Sequence, residues 1–90
     1  MPQEVIDAFN ELIAESWDGR QAHFTMKVAA RRVELKLAGA GMPNVNVYEK
    51  GWLDVEPIYR KAGWVVAFDN PGYNESYEAN YIFKKKVTRG

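Results

Sequence analysis

The sequence predicts a single small α+β domain, ordered α-α-β-α-β-β, with helices packed on one face of a three-stranded sheet. Three observations predict it. Apolar residues recur at helical period from Val5 to Trp17. Aromatic and β-branched residues concentrate in 64–68 and alternate with polar ones in 77–84. Gly or Pro punctuates the chain between these blocks. A length of 90 residues suits one domain, 1–90. Within it, 1–38 reads as a helical hairpin, 44–86 as a β-α-β-β unit, and 87–90 as a frayed tail.

The first helix is defined by Val5, Ile6, Phe9, Leu12, Ile13 and Trp17, one apolar stripe at helical spacing. Pro2 suits its first turn, where a missing N–H costs nothing, and Asp18-Gly19 ends it. Residues 22–38 read in two ways. As a helix, Ala22, Met26, Ala29, Ala30, Val33 and Leu37 form a stripe flanked by Val28 and Leu35. As two strands, Phe24/Met26/Val28 and Val33/Leu35/Leu37 alternate, but the residues between them include none that favours a turn. The helix is the better reading, ending at Gly39, with Lys27 and Arg31 facing the acids of the first helix.

A loop over 39–43 leads to 44–48, where Val45 and Val47 share a face and predict a short strand. Pro57 opens a brief third helix whose buried side is Val55, Ile58, Tyr59 and Ala62. Gly63 caps it, and Trp64 packs back on its last turn. In the next strand Trp64, Val66 and Phe68 share one face and Val65 and Ala67 the other, a pattern of a central or covered strand. Asn70-Pro71-Gly72-Tyr73 fits a type II turn. The last strand points Tyr77, Ala79, Tyr81 and Phe83 to one side. Because a helix separates the strands at 44–48 and 64–68, they are expected to run parallel, with the last returning antiparallel.

Net charge is zero, yet the charges are segregated: −5 over 1–19, +4 over 20–38, −3 over 39–83 and +4 over 84–90. No whole-molecule field therefore favours nucleic acid. The chain has no cysteine, so neither a disulfide framework nor thiolate chemistry is available. Its apolar runs are far shorter than a membrane span and no signal-peptide layout is visible, so a cytoplasmic protein without membrane contact is expected.

The second half resembles a recurring pattern in small proteins encoded by tailed bacteriophages. That pattern runs through a "v-x-v" strand, a short helix, an "A-G-W-x-V" strand and an aromatic-alternating strand. Val45/Val47, Tyr59-Arg60-Lys61-Ala62-Gly63-Trp64-Val65-Val66 and 77–83 carry it here, within residues 22–86. The resemblance implies a phage origin, with the host cytoplasm as location, and a shared fold; it points to no particular activity, since such proteins are mostly uncharacterised or bind host proteins.

Chemistry-bearing motifs are sparse. His23 is the sole histidine and has no carboxylate pair at ligand spacing, so no metal is expected. Ser16 and Ser76 lie in no nucleophile elbow. Gly39-Ala40-Gly41 follows a helix rather than preceding one, the wrong context for a phosphate cradle. The expectation is a non-enzymatic protein-interaction module without a cofactor, binding or inhibiting a host or phage protein. Its candidate contact residues are Tyr48, Trp52, Tyr73, Asn74 and Glu75, large or polar residues in or near predicted loops. Trp52 either anchors a partner or closes the core. A homodimer through a sheet edge or helix face is a second partner the pattern allows. The alternative is a single-stranded nucleic-acid binder using Tyr81 and Phe83 with Lys84, Lys85 and Lys86. Strand alternation weighs against it, because those aromatics share the side a small sheet needs for its core.

Overall fold

A computed structural model describes residues 2–69 and 78–85. The elements are α1 (Gln3–Ser16), β1 (Gln21–Thr25), α2 (Met26–Gly39), α3 (Val47–Lys50), α4 (Glu56–Lys61), β2 (Trp64–Asp69) and β3 (Asn80–Lys85). The three strands form one sheet in the order β1-β3-β2, antiparallel throughout. Ala22, Phe24, Val66, Tyr81 and Phe83 are buried on the face covered by helices, whereas His23, Val65, Ala67 and Lys84 are exposed on the other. The fold is therefore α+β with helices on one side of the sheet. The turn expected at 70–73 and the tail at 87–90 lie outside the described residues.

Three sequence expectations are corrected. Residues 22–38 are not one helix: 21–25 form β1, and α2 begins at Met26. The strand gains its stability from pairing with β3, Ala22 opposite Phe83 and Phe24 opposite Tyr81, partners about sixty residues away that no local pattern reports. Thr25 marks the switch, its hydroxyl accepting a hydrogen bond from the Val28 N–H at 3.2 Å as the N-cap of α2.

The strand expected at 44–48 does not form. Asn44 takes a left-handed conformation (φ 64°), and Asn46 caps α3 by accepting from the N–H groups of Tyr48 and Glu49. Val45 and Val47 both meet the core, so their alternation was genuine; it belongs to an irregular crossing rather than to a ladder. With that strand gone, the parallel crossover goes too, and β1 takes the third place in the sheet. The central strand is β3, and β2, apolar on both faces, lies at an edge.

Local punctuation followed the sequence more closely. Gly63 adopts a positive φ (100°) just beyond α4, as expected of its cap, whereas α1 ends earlier than expected, at Ser16, and Gly19 (φ 101°) lies in the Asp18 turn that leads into β1. Trp64 packs edge-on against Tyr59 of α4 at 6.2 Å, as its position after the cap implied.

The core is aromatic. Phe9 of α1 sits over the sheet, with ring centroids 5.2 Å from Tyr81, 5.9 Å from Phe24, 6.2 Å from Phe83 and 6.5 Å from Tyr59. Two buried phenols tie the layers together. Tyr81 donates to the Leu53 carbonyl at 2.7 Å, and Tyr59 donates to Asn10 Oδ1 at 2.6 Å, joining α4 to α1.

The helices α1 and α2 pack side by side with their charges matched, but through different bases from those expected. Because α2 begins at Met26, Arg32 and Lys36, one turn apart, face α1, whereas Lys27 and Arg31 are exposed. Arg32 holds Glu15 in a two-pronged pair (2.6 and 2.8 Å) and reaches Glu11 at 3.2 Å; Lys36 also pairs with Glu11. Hydrogen bonding from Arg32 lowers the Glu15 carboxyl below the usual glutamate range. A depressed carboxyl contributes stability that is complete above its unfolded-state value and lost as pH falls through the folded-state value. Arg32→Gln is therefore expected to flatten the acid side of a melting-temperature profile recorded between pH 2 and 7. The difference should shrink in high salt, because Glu15 is solvent-exposed. Superimposable profiles would show that the pair contributes nothing to the pH dependence.

Candidate functional site

A groove of about 700 Å³ runs between the outer side of α2 and the 42–48 segment. Its formation follows from local rules. Val33 and Leu37 turn α2's apolar stripe inward, which places Leu35 on the opposite side, 59 % exposed. The Met42 N–H then bonds to the Leu37 carbonyl at 2.8 Å and folds the chain back beside the helix. From there Asn44 and Asn46 steer it into the single turn of α3, which buries Val47 and leaves Tyr48 54 % exposed. Leu35 and Tyr48 thus line one groove, with Arg31 and Glu34 also contributing to its walls. Two large apolar surfaces flanked by charges of both signs can seat an apolar side chain and its polar neighbours.

Of the residues selected from sequence, Tyr48 belongs to this groove. Trp52 does not: it is part-buried against the core, its backbone N–H bonded to the Val47 carbonyl at 3.3 Å. Tyr73, Asn74, Glu75 and Lys86 lie outside the described residues. The two edge strands β1 and β2 are where a homodimer seam through the sheet would fall. Arg60 of α4 donates to the Val66 carbonyl of β2 at 2.9 Å, occupying one of its backbone acceptors.

The nucleic-acid grouping is taken apart by the fold. Tyr81 and Phe83 are 1 % and 0 % exposed beneath α1 and present no free ring face to a base. Lys84 and Lys85 are exposed but, as neighbours on a strand, point to opposite faces of the sheet. A stacking platform with a basic rim needs aromatics and lysines on one accessible side.

Leu35 is the groove residue that sequence reasoning left as a mere flank of the α2 stripe. Its signal was present: with Val33 and Leu37 inward, the residue midway between them lies on the far side of a helix.

Burial pushes the Tyr59 hydroxyl up to about 12 and that of Tyr81 higher still, so both phenols are neutral at physiological pH. His23 lies on the open sheet face with Nε2 3.1 Å from Asn80 Oδ1. Among the described residues, no cluster of three or more His, Cys, Asp or Glu could hold a metal ion, and no helix is long and apolar enough to cross a membrane.

No protein-family model, no curated protein and no solved structure matches the chain.

Proposed function

We propose that this chain is a small non-enzymatic protein-interaction module, binding a protein partner through the groove between α2 and α3. The observation that supports the reading is the pairing of Leu35 and Tyr48. Two large side chains, each more than half exposed, converge on one concavity while the aromatics of the sheet are spent on the core. Tyrosine is enriched among residues that dominate binding energy, and a groove lets such an anchor exclude water. The phage-protein resemblance of residues 22–86, although its strand at Val45/Val47 does not form, suggests a setting, with a host or phage protein as the partner and the host cytoplasm as the place.

The test begins with capture of a partner from host lysate and continues with affinities of Tyr48→Ala and Leu35→Asp. Each change at a true anchor costs about 2 kcal/mol or more, on the order of 30-fold in Kd. Both side chains are exposed, so circular dichroism and melting temperature should stay close to wild type. Affinities unchanged in both variants would remove the groove from the reading.

A further inference from the structure

A second concavity lies at the other end of the core, where α1 runs past the sheet. It is an open depression of about 260 Å³ lined by Asn10, Ile13, Ala14, Trp17, Trp64 and Lys85. Trp17 and Trp64 meet edge to face, centroids 6.2 Å apart and planes at 89°, so their rings form the two walls of an L-shaped slot. Both are only part-buried. Lys85, directly across the ladder from Trp64, holds its ammonium 5.6 Å from the centre of the Trp17 ring.

Charge in this slot is one-sided. No acid lines it. The two carboxylates closest in sequence to Trp17 on either side are engaged elsewhere: Glu15 with Arg32, and Asp18 with the N–H groups of Arg20 and Gln21. Among the described residues Lys85 has no carboxylate within salt-bridge distance. Asn10 accepts from the Tyr59 hydroxyl through Oδ1, which leaves its amide nitrogen as the group it can offer a ligand. One cation and one amide donor beside two indole faces complement a flat apolar body bearing a single negative charge.

We infer that this slot is a binding site for a small aromatic carboxylate, its ring against Trp17 and Trp64 and its carboxylate on Lys85. The site is separate from the groove of Leu35 and Tyr48 and does not depend on it. Its volume lies just below the ~300–1,000 Å³ of drug-sized pockets, which limits the ligand to one or two fused rings. For so few atoms the dissociation constant is expected on the order of 0.1–1 mM.

The test is a titration of the labelled full chain with 2-naphthoate, followed through the indole N–H signals of its three tryptophans by NMR. Trp17 and Trp64 should shift saturably, while Trp52, at another part of the core, stays in place as an internal control. The neutral isostere 2-naphthamide should bind at least about fivefold more weakly, Lys85→Met should abolish that preference, and Lys85→Arg should retain it. Lys85 is exposed, so neither substitution threatens the fold. The proposal is overturned by the absence of saturable shifts to several millimolar, by equal movement of all three indoles, by equal affinity for acid and amide, or by a Lys85→Met variant that keeps the preference.

Discussion

Phe83→Ala is expected to destabilise the protein by about 3–5 kcal/mol, the range for truncating a fully buried phenylalanine. Phe83 has no exposed surface and lies in the central strand, between Ala22 of β1 and Val66 of β2. Five rings surround it: Tyr59 at 5.1 Å, Phe24 stacked at 5.5 Å, Tyr81 at 6.0 Å, Phe9 at 6.2 Å and Trp64 at 6.5 Å. Those neighbours come from both edge strands, α1 and α4, so a cavity here cannot close by moving one element. Domains are stable by roughly 0.05–0.15 kcal/mol per residue, which puts the whole reserve of a chain this size near the expected loss. In thermal unfolding the midpoint should fall by about 12 °C or more, or the cooperative transition should vanish. A variant melting within a few degrees of wild type would mean that Phe83 is not a core residue. That result would also revive the nucleic-acid reading, in which the ring is a surface feature and its loss nearly neutral.

Tyr81→Phe should cost about 1–3 kcal/mol although it deletes one oxygen. The ring and its packing on Phe9, Phe24, Phe68 and Phe83 survive the change. What is lost is the 2.7 Å hydrogen bond from the phenol to the Leu53 carbonyl, in a setting where the hydroxyl is buried. The carbonyl would then be left without its partner, and its desolvation, rather than the strength of one bond, sets the size of the effect. Urea unfolding followed by tryptophan fluorescence is the measurement, with a lower midpoint and an unchanged slope expected. A loss below about 0.5 kcal/mol would show that solvent reaches Leu53 and that the bond does not hold the 51–55 segment onto the sheet.

The functional reading rests partly on signals a sequence carries and partly on ones it does not. Tyr48 was recognisable as a large residue outside any regular apolar pattern. Leu35 was visible only as a departure from the α2 stripe, and its meeting with Tyr48 depends on how 40–46 folds back. Trp17 just past α1, Trp64 in β2 and Lys85 in β3 come together only when β3 pairs with β2 beneath α1. No spacing along the chain announces such a slot.

Short-range physics explains what the chain determined by itself. The period of Val5 to Ile13 made α1, Gly63 ended α4, and alternation aimed Tyr81 and Phe83 at the core. These outcomes depend on a few neighbouring residues and follow wherever the segment is placed. Tertiary structure alone decided that 21–25 is a strand and that β3 rather than β2 is central. A short segment such as Gln21–Thr25 contains good helix formers and an alternating pair, and its local preferences nearly balance. Pairing with β3 then settles the matter, because backbone hydrogen bonds and two buried side chains outweigh a small difference in propensity. The strand expected at 44–48 was overruled nearer home: Asn44 turns left-handed and Asn46 caps α3, so the segment crosses the core without joining an open sheet edge.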